Sequence, residues 1–352
     1  MTHRINPAGE PITDDDATIA AALEQASVPC LMMSMIHMTG DASLLDGDIR
    51  PVLAFLNDMQ CAMPAVQQAE LRRRALEVIS AYRDRGCTLP PAPDTGTLQR
   101  MMSFLVAGEV PAAYVPMMLE EMELDGRDAR EVSLAHIPQE AREALPVLII
   151  GAGMSGILAA IRLQEEGVPY VIIEKNPGVG GTWYENTYPG CRVDVGNHLY
   201  CYSFEPNLDW QEFFARQPEL RRYFENTARK YGVEPQIRFD TEVQAADFDE
   251  ASGEWHVRVR AKDGATQTLR ARVLISGVGQ LNRPKLPDID GLERFRGPAF
   301  HSACWDHSVS LAGKRVAVIG TGASAFQLVP EIAREAAQVY TFQRTPQWMF
   351  PN

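Results

Sequence analysis

Two glycine-rich hexapeptides, each following an apolar run, constrain this chain more than any other feature: GAGMSG at Gly151–Gly156 and GTGASA at Gly320–Ala325. Leu145–Ile150 is continuously apolar, as a strand buried on both faces of a parallel sheet must be. The pattern predicts a helix over Met154–Glu166 and a second strand over Tyr170–Glu174, which makes a βαβ unit. Lys314–Gly320 opens a second such unit, with Gln338–Phe342 as its next strand. In the first unit Gly151 permits the tight turn, Gly153 lets backbone amides approach a pyrophosphate, and Gly156 lets helix and sheet pack closely. The phosphate meets free amides and the positive end of a helix dipole, with the Ser155 hydroxyl nearby. Glu174 ends the next strand, where a carboxylate binds both hydroxyls of an adenosine ribose.

The second fingerprint differs at its far end. Gly320, Gly322 and Ala325 occupy the three small positions, but the following strand leads into Gln343, Arg344 and Thr345 rather than an acid. A carboxylate there repels a ribose 2′-phosphate, whereas a guanidinium pairs with it, so Arg344 favours NADPH over NADH. The bland alternative is a solvated arginine at a strand end.

Around these units the chain changes character. Residues 1–16 are polar and rich in Asp and are expected to be disordered. Ala17–Leu124 reads as helical. Within it Ala65–Arg85 places Val66, Leu71, Ala75, Leu76 and Ile79 on one face, and Gly86 ends the helix. Thr97–Ala107 and Ala112–Leu124 are two further helices, carrying Met101, Met102, Met117, Met118 and Met122 as either core or a partner-facing surface. Residues 125–144 read as a linker. Arg216–Tyr231 is a helix, Glu242–Phe248 and Glu254–Arg260 are a hairpin about Ser252-Gly253, and Val273–Ser276 is an apolar strand. The chain stops just after the second strand of the second unit, so the expectation is an N-terminal fragment of a longer protein.

Composition excludes some partners. A net charge of −13 argues against nucleic acid and anionic membrane. No apolar run approaches the roughly 20 residues of a membrane span, and the polar start lacks a signal-peptide core. Cys30, Cys61, Cys87, Cys191, Cys201 and Cys304 are scattered without a CxxC pair, as expected of reduced thiols in a cytoplasmic protein. The seven histidines show no metal-ligand spacing.

Two longer motifs complete the pattern. NPGVGGTWYENTYPGCRVD follows Glu174 directly, with Gly178, Gly180 and Gly181 able to pass close to a planar cofactor and Trp183, Tyr184 and Tyr188 as aromatic surface. FRGPAFHSACWD spans Phe295–Asp306, between the fingerprints. With these residues the chain resembles the Baeyer–Villiger monooxygenases, class B flavoprotein monooxygenases. Phe295, Gly297, His301, Trp305 and Asp306 match that family's histidine signature, and Gly180, Gly181, Trp183, Tyr188, Pro189, Gly190 and Asp194 match its second one. The resemblance covers residues 145–352. The helical extension is similar to that of the 4-hydroxyacetophenone monooxygenase branch.

The resemblance implies an α/β flavoprotein with two Rossmann-like dinucleotide-binding domains and an all-helical N-terminal extension: extension and linker over 1–144, the first part of the FAD domain over 145–310, and a truncated NADPH domain from 311 to 352. It implies FAD contacts at Gly151, Gly153, Ser155, Gly156, Glu174, Gly181, Thr182, Trp183, Asp194, Tyr200 and Val243. It implies NADPH contacts at Gly320, Thr321, Gly322, Ser324, Arg344 and Thr345. The Phe295–Asp306 motif would position the two domains, a role compatible with an ordinary hydrogen-bonded His301. Asp194 would orient an active-site arginine that lies beyond Asn352, so the fragment alone is expected to be inactive. The parent would use O2 to insert oxygen beside a ketone carbonyl, giving an ester or lactone, with aryl ketones suggested by the extension. The extension further implies a homodimer. The rival readings are a flavin monooxygenase that oxidises nitrogen or sulfur, a flavin-dependent disulfide reductase, for which the nearest pair Cys191 and Cys201 fits neither CxxC nor CxxxxC, and an inert fragment serving as an interaction module.

Overall fold

The computed structural model describes residues 11–52, 58–124 and 133–348. The expected disorder of residues 1–10, the linker stretch 125–132 and the last four residues lie outside them. The chain forms two compact units, residues 2–132 and 133–350.

The first unit is helical. Its helices are α1 (Asp16–Leu23), α2 (Val28–Thr39), α3 (Ala65–Asp84), α4 (Thr95–Leu105) and α5 (Val115–Met122). The acidic start is not a disordered tail throughout. Asp15 caps α1 by accepting from the Thr18 amide at 2.8 Å, and Asp16 pairs with Arg83 of α3 at 2.9 Å. Asp94 caps α4 in the same way through Thr97. Leu71, Ala75 and Ile79 of α3 pack on Val28, Met32, Met35 and Ile36 of α2, with Leu98 and Met101 of α4 completing this core. One expectation changes here. Val66 is 82% exposed, because it sits in the first turn of α3 and the packed stripe starts at Leu71. The methionines that fill the core are mainly Met32, Met33 and Met35 of α2, whereas Met117 of α5 is half exposed.

The second unit opens with a short helix, α6 (Gln139–Glu143), and then a four-stranded parallel sheet in the order β3-β2-β1-β7. These strands are β1 (Val147–Ile150), β2 (Tyr170–Ile173), β3 (Ile237–Arg238) and β7 (Val273–Ser276). Alternation along the strands divides two faces. Val147, Ile149 and Ile172 pack with Ile157, Ala160 and Ile161 of α7 (Met154–Glu165) and with Leu220, Phe224 and Ala228 of α9 (Gln217–Lys230). The i, i+4, i+8 spacing of those α9 residues makes the stripe that covers the sheet. Leu148 and Ile173 face the other way, onto Val257, Val259 and Ala271.

That second cover is an antiparallel meander of β4 (Thr241–Asp249), β5 (Glu254–Ala261) and β6 (Thr266–Ala271). The expected hairpin is thus two-thirds of a three-stranded sheet. Its register shifts between Val243 and Ala245, a bulge. The short helix α8 (Thr182–Glu185) lies between β2 and β3. Further on, β8 (Arg315–Ile319), α10 (Ala323–Ile332) and β9 (Gln338–Phe342) form the second βαβ unit, the two strands pairing in parallel. All six cysteines are free thiols. Among the described residues no helix is long and apolar enough to cross a membrane, and no cluster of metal-binding side chains occurs.

Candidate functional site

The first cradle forms where β1 ends. Gly151 and Gly153 make the turn into α7, and Ser155 is exposed in the helix's first turn. A Cβ on Gly156 would strike the Gly151 carbonyl oxygen, so only glycine lets α7 start this close to the strand. The GGxW segment folds against this turn. The Gly180 amide donates to the Ala152 carbonyl at 3.0 Å, and the Gly153 and Gly181 backbones abut.

Glu174 is no surface charge; it is 3% exposed. Its Oε2 accepts from the Ala152 amide at 2.7 Å, and its Oε1 accepts from the Asn176 amide and side chain at 2.8 Å. The carboxylate therefore fixes the fingerprint turn itself; Oε1 already accepts two hydrogen bonds, and Oε2 retains a lone pair for another donor. Asn176 also donates to Glu185 at 3.0 Å, and Lys175 pairs with Glu185 at 2.8 Å. Asn282, beyond the end of β7, donates to the other Glu185 oxygen at 3.0 Å. Sequence reasoning missed this network around Glu185.

The aromatic loop is a packed part of the core. Trp183 is buried, stands edge-on to Tyr200 at 5.7 Å, and donates its indole N–H to the Tyr200 hydroxyl at 3.2 Å. Tyr188 is buried as well, and burial raises its phenol above the usual range. Thr182 is exposed at the start of α8, and Asp194 is exposed two residues after Arg192. Val243 lies apart, half-buried on the meander beneath the parallel sheet. Its strand starts beside Glu174, whose carbonyl accepts from the Thr241 amide at 2.9 Å.

The second cradle repeats the local geometry. Gly320 and Gly322 turn β8 into α10, and the Gly320 amide donates to the Phe342 carbonyl at 2.9 Å. The Thr321 hydroxyl donates to the Thr345 carbonyl at 3.3 Å and accepts from Gln343 at 3.2 Å. Arg344 is exposed at the end of β9, with no hydrogen bond or ion pair to a described residue. Ser324 is half-buried beside the Tyr188 phenol.

The Phe295–Asp306 segment is a run of turns. His301 is half-buried, and its Nδ1 accepts from the Ala303 amide at 3.1 Å, capping a 3-10 turn over Ser302–Cys304. Trp305 meets Phe300 edge-on at 5.0 Å. Asp306 accepts from the Ser308 amide and hydroxyl, and these bonds hold its carboxyl below the usual range. Phe295 is mostly exposed and Gly297 lies against its ring. The neighbouring His307 Nε2 sits 2.9 Å from the Thr187 hydroxyl, tying this segment to the loop after the first cradle.

Two cradles thus lie in one compact unit, joined by these loops. Residues 144–352 match the model of the flavin-binding monooxygenase-like family. An uncharacterized monooxygenase of Sinorhizobium fredii is 39% identical over 334 residues, 95% of this chain and 49% of that protein, an extent that includes most of the helical unit. A Baeyer–Villiger monooxygenase of Pseudomonas aeruginosa is 47% identical over 216 residues, 61% of this chain and 40% of its own. Among solved structures, OTEMO in complex with FAD and NADP is 40% identical with a TM-score of 0.55, covering 59% of this chain and 41% of that one. An oxidized steroid monooxygenase bound to NADP is 41% identical with a TM-score of 0.53, covering 58% of this chain and 40% of that one. The chain thus spans about half or less of the length of the curated relatives it matches. With the α/β fold, both fingerprints and this match over most of the second unit, the chain belongs to the flavin-binding monooxygenase-like family.

Proposed function

We propose that the natural full-length protein is an FAD- and NADPH-dependent Baeyer–Villiger monooxygenase that converts a ketone, an aryl ketone by preference, into an ester. The observation that carries this reading is the pair of fingerprint cradles in one unit, with a buried acid at the first and an exposed arginine at the second. The relatives of known reaction type and the ligands of the solved neighbours support it.

The residues present fit the two groups. No side chain caps the start of α7, so its first backbone amides are left for another acceptor. Gly151, Gly153, Ser155 and Gly156 would take the FAD pyrophosphate, and the free lone pair on Glu174 Oε2 would accept from a ribose hydroxyl. Gly181, Thr182, Trp183, Tyr200 and Val243 would hold the rest of the flavin side. Gly320, Thr321, Gly322, Ser324 and Thr345 would hold NADPH, with Arg344 on its 2′-phosphate. Bound together, the two groups supply hydride delivery and the activation of dioxygen, while the protein orients them and limits water. Asp194 is the exposed acid available to orient a cationic group over the site. The Phe295–Asp306 segment would set the spacing of the two domains, and the helical unit would make a homodimer.

The test is product analysis. Full-length protein with FAD, NADPH and O2 is given a phenyl ketone, an amine and a sulfide. A phenyl or alkyl ester from the ketone supports the proposal; N- or S-oxides alone overturn it.

A further inference from the structure

The loop Tyr188–Val193 lies between the two cradles and is held from both sides by a glutamine. On the first side the Gln217 amide at the start of α9 donates to the Cys191 carbonyl at 2.8 Å, and its side chain donates to the Trp183 carbonyl. Val193 donates to the Ala215 carbonyl at 3.0 Å beside it. On the other side stands Gln327 of α10, five residues past the second glycine of the second fingerprint. Its Oε1 accepts from the Tyr188 hydroxyl at 2.8 Å and from the Arg192 amide at 3.1 Å. Its Nε2 donates to the Arg192 carbonyl at 2.9 Å. One side-chain amide thus pairs with both backbone groups of Arg192, as a neighbouring strand would. Gly190 makes the approach possible, since a Cβ there would strike the Gln327 carbonyl oxygen and φ is +79°. Leu328 and Ile332 bury themselves in the same core as Tyr188, Cys191 and Val193.

We propose that Gln327 is a positioning residue that binds the Tyr188–Val193 loop to the helix of the second cradle and so fixes the two nucleotide sites in register. The same bond places Asp194, which follows Val193 directly. This rests on the functional reading above and adds to it the element that transmits alignment between the cradles. The glutamine suits the task because a primary amide donates and accepts at once. Packing alone would resist separation of α10 from the loop but not sliding, whereas three directed hydrogen bonds also fix the register.

The test uses the natural full-length protein with FAD bound. Gln327→Met keeps the volume and removes all three bonds; Gln327→Glu keeps an acceptor and loses the donor. Leu328→Ala weakens the same contact by packing alone. With Gln327→Met, flavin reduction at saturating NADPH falls about tenfold or more, as misplaced reacting groups do, while reduction by dithionite and the affinity for FAD are unchanged. Gln327→Glu lies between, and Leu328→Ala lowers stability with little change in the reduction rate. Exchange of the Arg192 amide hydrogen, slow in the parent, becomes fast in Gln327→Met. Wild-type reduction by Gln327→Met, equal slowing in Leu328→Ala, or fast exchange in the parent each overturns the proposal. A parent that NADPH does not reduce strikes the functional reading instead, and the exchange rate still decides whether the clamp exists.

Discussion

The two βαβ units share a fingerprint and differ in almost everything around it. In the first, Val147, Leu148 and Ile149 of β1 are at most 3% exposed, covered by α7 and α9 on one side and the meander on the other. In the second, Ile319 of β8 and Phe342 of β9 are more than half exposed. The acid of the first cradle is buried and bound to three donors, whereas the arginine of the second is solvated. A Rossmann-like turn is therefore a local property of sequence, while the burial that rigidifies it comes from neighbours distant in sequence. The first cradle is part of its fold's core. The second, as far as this chain carries it, is held through the inner face of α10 and the loop that Gln327 grips.

The sharpest way to break this contrast is at the third small position of each fingerprint. Gly156→Ala pushes a methyl group into the Gly151 carbonyl of a rigid, covered turn. Its expected cost is about 3 kcal/mol or more, the upper range for overpacking, with loss of FAD binding. The equivalent residue of the second cradle is already Ala325. Ala325→Gly costs only about 1 kcal/mol, the helix propensity difference, and leaves FAD bound. Urea unfolding of both variants checks this, and equal losses would refute the difference in rigidity.

The charged residues extend the comparison at smaller scale. Glu174→Ala strands the buried Ala152 amide, at an expected cost of about 1–3 kcal/mol, seen as a lower urea midpoint even without cofactor. Arg344→Ala leaves stability within about 0.5 kcal/mol, as for other exposed sites. It lowers the preference for NADPH over NADH about tenfold or more, the value of a lost charged hydrogen bond. Initial rates with each nicotinamide in the full-length protein measure that preference. A destabilised Arg344→Ala or a neutral Glu174→Ala would erase the distinction between a structural acid and a ligand-reading arginine.

The extent to which these features were legible follows the same division. Both fingerprints, Glu174 and Arg344 stand out because strand, turn and helix signals are local. Val273–Ser276 matches β7 residue for residue, since a short run with no polar residue before its end has few alternatives. The third meander strand, TQTLRA, escaped because its outward face is polar and only Leu269 and the small Ala271 mark its inner side. Gln327 could not be found from pattern, because its partners are Tyr188 and the backbone of Arg192, which sequence spacing does not bring near. The burial of Glu174 was equally hidden, because it depends on the turn at Ala152 folding back over β2.

A pH effect probes the joint between the cradles. Burial pushes the Cys191 thiol from 9.0 up to about 11, and burial raises the neighbouring Tyr188 phenol too. In the unfolded chain both groups deprotonate at their ordinary values. Above pH 9 the folded protein therefore holds protons that the unfolded chain has released, and stability falls as pH rises toward 11. The loss from Cys191 is roughly 1–2 kcal/mol, somewhat below the full value of the shift. Cys191→Ala should flatten the fall in urea midpoint between pH 8 and pH 10.5. An identical slope in Cys191→Ala and the parent would mean that this loop is wet, and that α10 sits on it more loosely than the hydrogen bonds of Gln327 require.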